Sequence, residues 1–212
     1  MVDQHLIDVV KKLQAESKQR NFVETVELAI NLKDIDLSNP KNRIQEEIIL
    51  PNGRGKAVRV GVFGSSEMAV KAKGVADVVV QPEEIEGLAT NKAQARKFVN
   101  ASDFFIAEAP LMPTIGKRLG VVLGPRGKMP KPIPPGSDPK PQIEKLRSSV
   151  SVRTRDKMTF HLAIGTKDMP PEKLAENLDA VLKRITSKLE RGKMNIKSAY
   201  VKTTMGPSFK VM

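Results

Sequence analysis

The chain opens with apolar residues at helical spacing: Leu6, Val9, Val10 and Leu13 recur between Val2 and about Gln19, with Lys11, Lys12 and Lys18 on other faces. This predicts an amphipathic helix. The period then drops to two. In FVETVELAI, Val26, Leu28 and Ile30 fall on one side and Thr25 and Glu27 on the other, the pattern of a half-buried strand. A polar loop follows, and EEIILPNGRGKAVRVGVF sets the turn dipeptide Asn52-Gly53 between two β-prone runs.

Beyond Gly55 the pattern changes. AVRVGVF is a nearly continuous apolar strand, GSSEMAVKAKG a short helix capped by Ser65 or Ser66, ADVVVQ another buried strand, and PEEIEGLATNKAQARKFVN a helix opening at Pro82. DFFIAEAP supplies a third strand and IEKLRSSV a last helix after a proline-rich run. Strand alternating with helix predicts a parallel sheet covered by helices. From Val150 the two-residue period returns, and SVRTRDKMTFHLAIG reads as a hairpin about Asp156. A strong helix starts at Pro170-Pro171, carries the stripe Leu174, Leu178, Val181, Ile185 and Leu189, and is ended by Gly192. IKSAYVKTT is the closing strand, turning at Met205-Gly206-Pro207 into SFKVM.

The expected fold class is an α+β discontinuous domain, an antiparallel sheet with two helices built from residues 1–56 and 150–212. It carries an inserted α/β Rossmann-like three-layer domain at 57–149. Chain segments that must meet in one sheet explain the two crossings near residues 56 and 150.

Composition narrows the function. The chain of 212 residues has no cysteine, which excludes disulfides, thiolate zinc sites and thiol nucleophiles. No apolar run approaches the ~20 residues of a membrane span, and Asp3 and Asp8 interrupt the start where a signal peptide is uncharged. A cytoplasmic protein without a membrane partner is expected. A net charge of +12 and a pI near 9.9 favour a polyanionic partner, although basic charge also serves solubility. Aromatics are only 4%, so backbone and shape recognition of structured RNA fits better than stacking on single-stranded bases. The charge is spread over both domains and does not say which one binds.

Enzyme motifs fail one by one. Around Gly127-Lys128, a Walker loop would need glycine where Val122 stands and a hydroxyl where Met129 stands. Gly124-Pro125-Arg126-Gly127 matches the clamp of a KH domain, but Pro130, Pro132, Pro134 and Pro135 prevent the helix that must follow. Gly61-Val62-Phe63-Gly64 lacks the glycine spacing of a dinucleotide fingerprint, and Gly64 to Met68 ends in Met where a nucleophile elbow ends in Gly. His5 and His161 are too isolated for a metal cluster or triad and read as structural residues or RNA contacts. Asp77, Asp103 and Glu108 lie near strand ends of the middle domain, where an α/β enzyme keeps its site, yet no phosphate loop or partner base accompanies them. No catalytic residue, metal or cofactor is expected. A nucleotide-binding protein or enzyme using the middle domain is the alternative.

The final strand is more informative. Ser198, Tyr200, Lys202 and Thr204 share one face by alternation, and Ala199, Val201 and Thr203 the other. Hydroxyls and an ammonium in a row suit phosphates and ribose 2′-OH groups, although an ordinary solvent-facing strand has the same pattern. Lys188, Arg191, Lys193, Lys197 and Lys210 flank it, opposed nearby only by Glu190.

YVKTTMGPS, LGPRGKMP, FVETVEL and PPEKLAENLDAVL, in that family's order along nearly the whole chain, resemble the large-subunit ribosomal protein family called L-one, in its archaeal form. The resemblance implies a two-domain protein, monomeric when free and otherwise part of the large ribosomal subunit. There it sits on the mobile stalk, binds large-subunit rRNA and assists release of exit-site tRNA. It also implies repression of translation through the protein's own operon mRNA. Carried over by motif, Ser198, Thr204, Met205, Gly206 and Phe22 fall on the RNA surface, with Thr25 and Glu27 close by. Lys18, Arg20, His161 and Lys193 join them from charge and strand position. Where the family reads LGPRGLMPNPK, this chain has Lys128 and Lys131-Pro132-Ile133, which adds positive charge. The run LGPRGKMPKPIPPG is expected to be a structured loop with secondary RNA contacts.

Overall fold

A computed structural model describes residues 3–154 and 157–212. The chain divides into two compact units, Met1–Lys56 with Ser148–Met212, and Ala57–Arg147. The first is an antiparallel sheet covered on one side by two helices; the second is a parallel sheet with helices on both sides.

In the first unit, helix α1 (Gln4–Glu16) is capped by Asp3, whose carboxylate accepts the His5 N–H at 3.1 Å, and buries Leu6, Val9, Val10 and Leu13. Strand β1 (Thr25–Leu32) alternates between half-buried and buried positions. Strand β2 (Gln45–Ile49) pairs antiparallel with β7 (Ser149–Arg153), next to the two chain crossings. Strand β8 (Thr159–Thr166), helix α7 (Pro171–Lys188), and strands β9 (Ile196–Thr203) and β10 (Ser208–Lys210) complete the unit, with sheet order β10-β9-β1-β8. The inner residues Val26, Leu28 and Ile30 join Ala199 and Val201, Phe160, Leu162 and Ile164, and the apolar stripes of α1 and α7 in one core. Asn177 lies in the α7 stripe and is fully buried. Its amide donates to the carbonyls of Gly53 and Ile164, both at 2.9 Å, and accepts the Asn52 N–H at 3.0 Å. The turn after β2 is thereby fastened to the core.

The second unit contains strands β3 (Val60–Phe63), β4 (Val78–Val80), β5 (Phe104–Glu108) and β6 (Lys131–Ile133), parallel in the order β4-β3-β5-β6. Helices α2 (Ser66–Ala72) and α6 (Lys140–Arg147) cover one face, with Val60, Val62, Ile106 and Ile133 beneath them. On the other face α3 (Pro82–Thr90), α4 (Lys92–Ala101) and α5 (Met112–Arg126) cover Phe63, Phe105 and Ala107. Successive strand residues thus feed opposite layers, as in a sheet buried on both faces.

Several elements depart from the sequence pattern. The helix expected to run on from Pro82 breaks at Asn91, whose side chain accepts the N–H groups of Ala93 and Gln94 and starts α4 anew. Helix α5 is masked by Pro113, Pro125 and three glycines; Pro113 lies in the first turn, where it is tolerated, whereas Pro125 lies inside the helix and costs it a backbone hydrogen bond, and Ile115, Leu119 and Leu123 hold it to the core all the same. β7 and β8, expected as a hairpin, lie in different sheets, because β7 pairs with β2 and β8 with β1; Asp156 itself falls outside the described residues. Helix α7 ends at Lys188, short of Gly192, which opens a 3-10 turn (Gly192–Asn195).

The proline-rich signature is half helix. Leu123 to Arg126 form the last turn of α5, Gly127 ends it in the left-handed region at φ 69°, and β6 follows. The Lys128 ammonium donates to the carbonyls of Val99 and Ser102, at 3.0 and 2.6 Å, and Arg126 Nε to Asn100 Oδ1 at 3.0 Å. Both cations therefore latch onto the end of α4. Burial holds the Lys128 pKa below the usual lysine value, and nearby Arg126 adds to this while Asp103 opposes it.

Three outcomes test this account. Asn177→Leu takes the bonds from the buried Ile164 carbonyl and from the half-buried Gly53 carbonyl and Asn52 N–H, and should lower stability by about 3 kcal/mol in urea unfolding. Lys128→Met should destabilise the second unit by about 1.5 kcal/mol through its two lost charged hydrogen bonds, read as a lower melting temperature. Glu46, hydrogen-bonded to Arg184 with Lys188 nearby, is held below the usual carboxylate range chiefly by that bond. A lowered folded pKa gives stability that is present above pH 4.5, the ordinary glutamate value, and lost as pH falls through the lowered one. Glu46→Gln should remove this part of the acid-side decline in a pH series of melting curves.

Candidate nucleic-acid interface

The outer face of the antiparallel sheet is polar because β1, β8 and β9 each turn their even-parity or odd-parity apolar set inward. Across it, Lys210 faces Tyr200, Tyr200 faces Ala29, and Ala29 faces His161. The next rung runs Ser208, Lys202, Glu27, Ala163. In the third, Thr159 Oγ1 donates to Asn31 Oδ1 at 2.7 Å and Asn31 Nδ2 donates to Ser198 Oγ at 2.9 Å. These hydroxyls and amides are fixed in a row before any ligand is present.

At the end of β9 the face becomes a corner. The Thr204 N–H donates to the Thr25 carbonyl at 3.0 Å, and the Thr25 N–H donates to Thr204 Oγ1 at 3.2 Å, so the two ends of the site are laced by reciprocal bonds. Gly206 must lack a side chain: a Cβ there would lie 2.2 Å from Thr203 Oγ1. Behind it, buried Ser17 bonds both the Leu13 carbonyl, at 2.6 Å, and Thr203 Oγ1, at 3.3 Å. Met205, Phe22 and Val23 stand out from this rigid backing at 62, 54 and 57% exposure. A cavity lined by residues 18–24 with Lys167 and Asp168 lies at the same corner and brings in Lys18 and Arg20.

The residues singled out from sequence therefore fall into three groups. Lys18, Arg20, Phe22, Thr25, Thr204, Met205 and Gly206 gather at the corner. Glu27, His161 and Ser198 lie on the sheet face. Lys193 is in the 3-10 turn before β9, separated from the corner by the eight residues of that strand, or roughly 26 Å. Glu24 and Lys167 escaped sequence reasoning. Glu24 shares the parity of Val26 and Leu28, and an acid on the apolar side of a strand pattern was the available signal; Lys167 offered none.

The acids singled out in the middle unit do not gather into a site. Asp77 and Asp103 were placed near strand ends on the side of enzyme sites, but they precede β4 and β5 and accept the N–H groups of Val60 and Arg59, at 2.8 and 3.2 Å. Those are the amino ends of the strands; ligand crevices of such sheets open at the carboxyl ends. At the carboxyl end, between β3 and β5, buried Glu108 accepts the Ser65 N–H at 3.1 Å and the Ser65 hydroxyl at 2.9 Å. Ser65 does not cap α2 with its side chain as expected, because the carboxylate claims it. A fixed negative charge stands where a nucleotide phosphate would go. Among the described residues no group of three or more His, Cys, Asp or Glu side chains could hold a metal ion, and no helix is long and apolar enough to cross a membrane.

Residues 12–207 match the model of the ribosomal protein L1p/L10e family. The chain is 58% identical to the large ribosomal subunit protein uL1 of Thermoplasma volcanium, covering 95% of this chain and 93% of that one. It is 54% identical to the protein of the same name from Methanocella arvoryzae over the full length of both, and 52% identical to that of Archaeoglobus fulgidus over 98% and 97%. With the discontinuous antiparallel unit, the inserted parallel sheet and these matches running nearly end to end, the chain belongs to the ribosomal protein L1p/L10e family.

Proposed function

We propose that this chain is a structural protein of the large ribosomal subunit. Its antiparallel unit binds large-subunit rRNA at the mobile stalk, it assists release of exit-site tRNA, and it represses translation by binding its own operon mRNA. The observation that carries the RNA reading is the corner where Thr204 is laced to Thr25, the Met205 N–H is held by Glu24 and the Gly206 N–H by the Thr203 carbonyl. Such a corner holds the exposed side chains of Phe22, Val23 and Met205 on a hydrogen-bonded backing beside Lys18 and Arg20, and fixed groups lose little entropy on binding. RNA offers matching chemistry in its 2′-OH groups and phosphates. The surrounding cations add salt-dependent attraction. Relatives named as large-subunit proteins, from three archaeal sources, support the assembly in which this happens. The chain is non-enzymatic, like the ribosomal proteins of its family. The signature run of the middle unit is expected to make secondary RNA contacts, but its Arg126 and Lys128 are turned to α4.

Crosslinking in cells with sequencing of the attached RNA tests the whole proposal. One enriched segment of large-subunit rRNA, one site in an mRNA leader, and tRNA among the remaining crosslinks are the expected result; diffuse attachment to many RNAs would overturn it. Thr204→Val tests the corner. It removes the Oγ1 that accepts the Thr25 N–H while leaving charge unchanged, and should weaken binding of a stalk rRNA fragment by about 1 to 3 kcal/mol. Filter-binding titration, with a melting curve to show that the fold persists, gives the answer, and an unchanged affinity would remove Thr204 from the site.

A further inference from the structure

Glu24 is 2% exposed, directly precedes β1 and shares the parity of its inner residues. Its Oε1 accepts the Met205 N–H at 3.0 Å and lies 3.4 Å from Nε of Arg20. Its own carbonyl accepts the Lys167 N–H at 2.9 Å. The Lys167 ammonium then donates to the carbonyls of Ser17 and Lys18, at 2.9 and 3.2 Å.

Burying a carboxylate is unfavourable unless it is paired and hydrogen-bonded. Here one oxygen joins two segments distant in sequence, the loop that carries Arg20 and Phe22 and the turn that carries Met205. Holding the Met205 amide fixes where the exposed Met205 side chain projects. The ion pair with Arg20 draws toward this carboxylate a guanidinium whose side chain is 33% exposed and lines the corner cavity. A planar donor held in this way is suited to a phosphate.

We propose that Glu24 is a positioning residue for RNA recognition, setting the Met205 turn and the Arg20 guanidinium in their binding arrangement before RNA arrives. The inference rests on the reading that this corner binds RNA.

The sign of one substitution separates positioning from plain electrostatics. Removing a negative charge beside a polyanion should tighten binding if charge alone mattered. If Glu24 positions the corner, its removal should loosen specific binding instead.

Wild type, Glu24→Gln and Glu24→Ala would be titrated with a stalk rRNA fragment and with an unrelated RNA of equal length, across a salt series. For Glu24→Ala the specific affinity should fall about tenfold, as for one lost charge-assisted hydrogen bond. The dependence of log K on log salt should become shallower by about one phosphate contact. Glu24→Gln keeps an oxygen for the Met205 N–H and should stay within about threefold of wild type, while neither variant should weaken binding to the unrelated RNA. Amide exchange in the RNA-free protein supplies a second reading: the Met205 N–H should exchange faster in Glu24→Ala than in Glu24→Gln. Unchanged Met205 protection in Glu24→Ala, or specific binding that is unchanged or tighter, would overturn the inference even where the wild type prefers the stalk fragment. A wild type with no such preference would overturn the RNA reading and this inference together.

Discussion

The fold of the antiparallel unit depends on one strand being paired on both edges by strands from the far end of the chain. β1 lies between β8 and β9, with Leu28 opposite Leu162 on one side and Val201 on the other. No local hairpin could supply that arrangement. It requires the chain to leave the unit, build another and return beside its point of departure. The β2–β7 ladder closes that return, pairing Gln45 with Arg153 and Ile49 with Ser149, and the Leu50 N–H extends it to the Ser148 carbonyl at 2.8 Å. The same β1 then separates two chemistries by parity alone, apolar side chains toward α1 and α7 and polar ones toward solvent. The core and the candidate RNA face are two sides of one pairing register, and a slip of one residue would exchange them.

The middle unit shows why a fold does not carry a function with it. Its parallel sheet has the strand order and the carboxyl-end crevice that other proteins use for nucleotides. The groups that would receive a phosphate are already engaged: the Ser65 N–H and hydroxyl both go to Glu108. Its signature cations are turned inward as well, Lys128 to the carbonyls that end α4 and Arg126 to Asn100. Positive charge counted along a sequence is therefore not all available to a partner. Some of it satisfies helix ends.

Periodicity made much of this architecture legible. Alternation marked β1 and β9 because one face is buried and the other wet, and the stripe from Leu174 to Leu189 marked α7 because its helix covers the sheet on one side only. Helix α5 was not legible, since three glycines and two prolines lower its intrinsic helicity and packing of Ile115, Leu119 and Leu123 overrides them. The break at Asn91 depends on a side chain choosing to cap rather than to continue, which the local pattern does not decide. At the corner, Thr204 and Gly206 stood out by motif, whereas Glu24 did not, because an acid among apolar positions reads as noise until its partners are known. Of those partners Arg20 is only four residues away, but Met205 is brought to it by tertiary structure.

The lacing of Thr25 to Thr204 also has a bearing on the order of events during synthesis. The middle unit is contiguous in sequence and can form while the chain is still emerging, as domains commonly do. The corner cannot: residues 18–25 must wait, unpartnered on one side, until Thr203 to Gly206 have been made, a long closure that slows folding. A chain that stops short of these residues already carries basic residues from both units, but without the ordered corner. The corner is thereby withheld from fragments and closes only once Thr203 to Gly206 have reached Thr25.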